Sequence, residues 1–224
     1  FLQGNNTLTS RLGPTGVTTI AMPTNSPFYP GGPGGTPADT NPGFDPSAPL
    51  YVPWRTTAAG NRSSTFENKT DRFMLDWIGS HAGWDYSVAV LQSRSNLKNI
   101  FNSGYVNNTN MVAGLNGTLD AAGLTPPWLN PFGPQTAAGA AYIQSQQIRG
   151  VLQRSEGSLR GLKADASAEI YKLPAGPLTM AAGIEYYRDS VSITNDDRIA
   201  EAVGSGLEGA FDSCGSRNWL GLFA

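Results

Sequence analysis

Two arms of strict apolar–polar alternation constrain this chain most. Leu162, Ala164, Ala166, Ala168 and Ile170 alternate with Lys163, Asp165, Ser167, Glu169 and Tyr171. After Leu173-Pro174-Ala175-Gly176-Pro177 the pattern returns, with Leu178, Met180, Ala182, Ile184 and Tyr186 set against Thr179, Ala181, Gly183, Glu185 and Tyr187. A helix would scatter Lys163, Asp165, Ser167 and Glu169 around its surface, whereas a strand collects them on one side. The spacing therefore predicts a β-hairpin over 158–192 with one apolar and one mixed face. A second hairpin is expected over 62–94. Phe73, Leu75 and Trp77 share a face opposite Arg72 and Asp76, His81-Ala82-Gly83 turns the chain, and Trp84, Tyr86, Val88 and Val90 oppose Asp85, Ser87 and Ala89. Met74 and Ile78 break the alternation of its first arm.

Between these hairpins the connections are long. Residues 95–157 are expected as a loop with a short helix somewhere in Gln135–Leu152, 193–216 as a second loop, and 217–224 as the start of another strand. Residues 1–60 read as a Gly/Pro-rich loop region around Tyr29-Pro30-Gly31-Gly32-Pro33-Gly34-Gly35, with room for a short strand from Gly16 to Met22. Short turns thus alternate with long loops. That is the rhythm of a transmembrane β-barrel, with tight periplasmic turns, long extracellular loops and about 9–11 residues per spanning strand. Trp77, Trp84, Tyr86 and Tyr171 near the turns, and Tyr186 and Tyr187 at the far ends, suit membrane interfaces. A soluble antiparallel sheet carries the same alternation. The membrane-length apolar face and the loops on one rim favour the barrel. The expected class is all-β, with antiparallel strands forming part of a transmembrane barrel over 61–224.

Composition agrees. Charged residues are 14% of the 224, against about 25% in ordinary soluble proteins, and 27 Gly and 16 Pro signal turns and loops. No apolar run reaches the ~20 residues of a spanning helix. A net charge of -2 with scattered Lys and Arg offers no phosphate-tracking stripe, so nucleic acid is not an expected partner. One Cys, Cys214, leaves no disulfide within the chain and only an outside pairing partner. One His, His81, reads as a turn residue, and no nucleophile–base–acid set assembles around it, so neither an enzyme nor a cofactor is expected. Asp196-Asp197 lacks further oxygen ligands and reads as a solvated loop end, not a metal site. Asp165 and Glu169 read as a hydrophilic lumen face. The candidate ligand contacts are Trp128, Phe132 and Tyr142 in the longest loop, where large amphipathic rings can stack or simply pack.

Several phrases resemble one family. Leu173-Pro174-Ala175-Gly176-Pro177-Leu178, followed by Ala182-Gly183-Ile184-Glu185-Tyr186-Tyr187-Arg188-Asp189-Ser190, resembles a recurring barrel hairpin of TonB-dependent outer-membrane receptors. Gly83-Trp84-Asp85-Tyr86 with Ser93-Arg94-Ser95 is similar to the preceding hairpin, Asn130-Pro131-Phe132-Gly133 to a common loop phrase, and Ser216-Arg217-Asn218-Trp219 to entry into the next strand. Together they span Arg62 to Ala224. The resemblance implies import of a scarce ligand into the periplasm by a plugged barrel of about 22 strands in the bacterial outer membrane. Its implied partners are the remaining barrel and plug, lipid, a small ligand and the TonB energy-coupling protein, reached through an N-terminal region that this sequence does not display. The first residues lack a signal peptide and the last stop mid-strand, so the chain reads as a fragment. The alternative function is a secreted or surface-attached β-protein that binds a polymer or partner through its loops.

Overall fold

The computed structural model describes residues 20–36, 44–52, 54, 56–202, 207 and 209–224. Most of them lie in antiparallel strands. Two short strands, β1 (Ile20–Met22) and β2 (Leu50–Val52), pair with each other. Five long ones, β3 (Ser63–His81), β4 (Trp84–Ser103), β5 (Gly150–Leu173), β6 (Gly176–Asn195) and β7 (Ser213–Phe223), form one sheet in the order β3-β4-β5-β6-β7. The class is all-β, and the sheet is open, with β3 and β7 as its edges. Two helices, α1 (Asn108–Asn116) and α2 (Ala137–Ser145), sit in the β4–β5 connection.

The strands outrun the expected arms. β4 continues through Ser103 and β5 begins at Gly150, so the connection between them is shorter than 95–157. The added segments carry polar residues on both faces and lack the alternation that marks a one-sided strand; their pairing comes from the ladder. At 24 residues and about 3.3 Å per residue, β5 is roughly twice as long as a bilayer crossing needs. β1 begins at Ile20, inside the expected Gly16–Met22 strand, of which residues 16–19 lie outside the described residues. The same holds for the rest of 1–19 and for 37–43, 53 and 55 of the Gly/Pro-rich region.

The chain divides into two compact units. The first comprises Phe1–Thr65, Asn99–Leu152 and Asn195–Ala210, the second Phe66–Lys98, Gln153–Thr194 and Phe211–Ala224. Loop segments give the first unit a core. Met22, Tyr29, Val52, Trp54, Met111, Leu115, Leu129 and Ile143 are buried together, and Phe101, Tyr105, Ile148, Leu152 and Ile199 form a second cluster. The Gly/Pro-rich residues that are described here therefore pack as part of a folded body. Tyr29 anchors them by donating from its hydroxyl to Ala48 O (2.6 Å).

The second unit has no such core. Side-chain contacts instead sort the sheet into two faces. Ser87 reaches Asp165 (2.9 Å), Lys163 reaches Asp165 (3.5 Å) and Glu185 (3.8 Å), Arg217 pairs with Asp189 (2.8 Å), and Tyr187 stacks on Trp219 at 4.5 Å. The opposite face carries Leu162, Ile170, Leu178, Met180, Ile184, Tyr186, Leu220 and Leu222. There Ile184 pairs with Leu222 and Tyr186 with Leu220. Trp77 meets Tyr86 edge-on at 6.4 Å, which puts Phe73, Leu75 and Trp77 on this apolar side. Met74 and Ile78 stand on the polar side of edge strand β3, exposed.

Candidate functional site

Of the three loop aromatics singled out in the sequence, two face inward. Trp128 and Tyr142 pack against the first unit's core. Trp128 lies where a Cβ on Gly117 would come within 2.3 Å of its indole; Gly117 caps α1 in the left-handed region at φ 67°, so both space and backbone require glycine there. Tyr142, on α2, donates from its hydroxyl to Asp120 Oδ2 (3.1 Å). Burial, with the Asp120 carboxylate beside it, pushes the Tyr142 phenol up to about 12. Asp120 is held below the usual carboxylate range by the Leu124 backbone N–H, against some desolvation, with Tyr142 and the Ala122 N–H adding to the effect.

Phe132 is placed differently. It is part-exposed and lines an open depression of ≈ 630 Å3 with Trp54, Thr57, Ala58, Pro131, Pro134 and Gln135. Buried Asn130 braces one wall from behind: its Oδ1 accepts from Phe132 N–H (2.9 Å), and its Nδ2 donates to Pro134 O (3.2 Å). Gln135 answers by accepting from Asn130 N–H (3.0 Å) and donating to Asn130 O. The other wall is the 3₁₀ turn Thr57–Ala59, pinned by Gln144 Nε2 donating to Ala58 O (2.7 Å) and Gln147 Nε2 donating to Ala59 O (2.9 Å). Pro131 and Pro134 stiffen the rim. The described lining offers ring faces at Trp54 and Phe132 and the amide of Gln135, groups capable of ring stacking and hydrogen bonding.

Trp54 went unnoticed in the sequence. It sits in the Gly/Pro-rich region, and its partners Met22, Met111 and Leu129 come from segments that sequence distance does not connect. The other sequence candidates keep the surroundings of turns and faces. His81 ends β3 at the surface. Asp196 caps a short 3₁₀ helix, Asp197–Glu201, by accepting from Arg198 N–H (3.0 Å), and the Arg198 guanidinium bonds to it at 2.8 and 2.9 Å. Those bonds hold the Asp196 carboxyl down at about 2. Among the described residues no group of three His, Cys, Asp or Glu gathers as metal ligands.

Comparison with known proteins adds nothing to this geometry. No protein-family model, curated protein or solved structure matches the chain.

The sheet of the second unit is the other candidate surface. Glu185 and Asp189 are 28% and 32% exposed at the side chain, while on the opposite face Leu220, Trp77 and Leu222 are 61%, 68% and 73% exposed. The carboxylates are thus half-covered by their partners, while Arg217 on the same face and the apolar side chains opposite stand exposed. Burying a Leu or Ile side chain is worth about 1.5–3 kcal/mol. Leaving this whole apolar set half in water would forgo on the order of 10 kcal/mol, as much as the net stability of a domain. Such a face needs an apolar neighbour.

Proposed function

We propose that residues 61–224 form part of the wall of an outer-membrane β-barrel, in a TonB-dependent receptor that imports a scarce ligand into the periplasm. One observation carries this reading: the five-strand sheet pairs a crowded, ion-paired polar face with an exposed apolar face of spanning length. In a barrel the first lines a wet lumen and the second meets lipid. A soluble sheet reverses the exposure, covering its apolar side. The ordered resemblance of 62–224 to receptor hairpins supports the same reading, and the remaining strands and plug would close the open edges β3 and β7, because unpaired backbone is not tolerated in lipid. On this reading the depression at Phe132 and Trp54 belongs to the loops that meet the ligand, and Trp128 and Tyr142 hold those loops in shape.

Washing membranes of cells that make the protein with alkaline carbonate tests the reading. The integral wall stays in the outer-membrane pellet, and deleting the TonB energy-coupling protein abolishes ligand accumulation without changing that residence. The alternative, a surface-attached β-protein that binds a polymer through its loops, draws on the same depression. It requires release into the carbonate supernatant.

A further inference from the structure

The apolar face of β5, β6 and β7 ends abruptly, and what borders it is cationic. The Ser158 and Ser190 hydroxyls lie 2.8 Å apart, so two residues further along β5 and back along β6, Arg160 and Arg188 stand opposite each other on neighbouring strands. Arg188 in turn pairs with Asn218 of β7. The next row on the same face is Leu162, Tyr186 and Leu220, where the apolar belt begins. Arg94 of β4 lines the same open depression as Arg160 and Arg188. The carboxylate lining it, Glu156, is taken by Arg94 at 3.1 Å. Among the described residues no carboxylate pairs with Arg160 or Arg188. On this face Glu67 and Asp71 stand two strands away on β3, alongside Lys69, while Lys98 and Arg154 add positive charge nearer by.

Like charges directly opposed across two strands destabilise the pair unless a counter-charge joins them. Two guanidiniums set side by side present several N–H donors to one oxyanion and suit the three oxygens of a phosphate. Their position immediately beyond an apolar belt decides which phosphate. An anion that reaches this row while its carrier covers Leu162, Tyr186 and Leu220 must be joined to acyl chains. We propose that Arg160 and Arg188 bind the phosphate of lipid headgroups at the margin of the membrane. The proposal rests on the membrane reading above and adds the residues that hold the lipid phosphate.

The test is flotation of the full chain with phosphatidylcholine vesicles, with or without a minor fraction of phosphatidic acid. The protein is expected to float with both and to prefer the phosphatidic acid vesicles by about fivefold for each free arginine engaged. Arg160→Gln with Arg188→Gln should erase the preference while leaving flotation on phosphatidylcholine intact, and Arg160→Lys with Arg188→Lys should keep most of it. A parental β-sheet circular dichroism spectrum shows that both variants fold. The proposal is overturned if the parent shows no preference or the glutamine variant retains it. It is equally overturned if inorganic phosphate abolishes the preference at the same concentration as the lipid phosphate, since the row would then be a free-anion site. Flotation with neither vesicle sinks the membrane reading itself, a result distinct from loss of preference alone.

Discussion

Two residues carry backbone or protonation states that make separate predictions. The β3–β4 turn puts Ala82 at φ 51° and Gly83 at φ 80°, the pair of positive values of a two-residue hairpin turn that follows the twist of its strands. Glycine adopts this freely, but alanine gives up about 1 kcal/mol. Ala82→Asn should therefore raise the stability of the hairpin by about 0.5–1 kcal/mol in equilibrium denaturation; a loss of stability would contradict the turn geometry. His81-Ala82-Gly83 was legible as a turn because Gly follows two strand arms, but the strain at Ala82 was not, because composition does not reveal which turn residue takes the left-handed conformation. At Tyr142 the sign of the pH effect is definite. Its folded value of about 12 exceeds its ordinary 10, so its contribution is whole below pH 10 and lost as pH rises toward 12. Asp120 is depressed below 3.8, so its contribution is present above that pH and lost as pH falls through the lower folded value. Ultraviolet titration should show one tyrosine ionising near pH 12 that is missing from Tyr142→Phe; a difference between the two curves that titrates at the ordinary 10 would contradict the burial of Tyr142 beside Asp120.

Among the elements, the helices divide by what the sequence advertised. α2 is readable: Thr136 accepts from Gly139 N–H (3.0 Å) as N-cap, and alanines follow it. α1 is not, since Asn-rich Asn107-Asn108-Thr109-Asn110 reads as loop. Asn107 is its N-cap, accepting from Asn110 N–H at 3.0 Å, and Met111 and Leu115 plug into a core contributed by distant segments. Asn107→Ala should cost about 1 kcal/mol, seen as a lower midpoint in urea, with Asn107→Asp restoring most of it. An unchanged midpoint would mean that tertiary burial alone holds α1. The strand interiors from Leu162 to Ile170 and from Leu178 to Tyr186 were legible since one face is apolar throughout. The extensions at 95–103 and 150–157 were not, because they are held by ladder bonds between segments polar on both sides. The candidate site was half legible for a similar reason. Phe132 announces itself beside Asn130 and Pro131 in a turn-rich phrase, while its neighbour Trp54 is brought there by the fold of a region that looks structureless in composition.

At the scale of the whole molecule, the two faces of the sheet differ in character. Alternation alone permits a soluble sheet or a barrel wall. The barrel-wall proposal draws on the contrast between the faces: Lys163 reaches Asp165 and Glu185 and Arg217 pairs with Asp189 on one, while Ile184, Leu220 and Leu222 stand uncovered on the other. The first unit, with cores built from loops, follows ordinary globular rules and supplies the depression at Phe132. The most direct test is a scan of spin labels along β6, one at a time from Leu178 to Arg188, in membranes containing the protein with Cys214→Ser. The labels report contact with oxygen, which concentrates in lipid, and with a water-soluble nickel complex. Labels at Leu178, Met180, Ala182, Ile184 and Tyr186 should respond to oxygen, and those at Thr179, Ala181, Gly183, Glu185 and Tyr187 to nickel, with the response crossing over at Arg188. Nickel contact on both faces, or an apolar face shielded from both probes, would contradict the account and place this sheet in a water-soluble body.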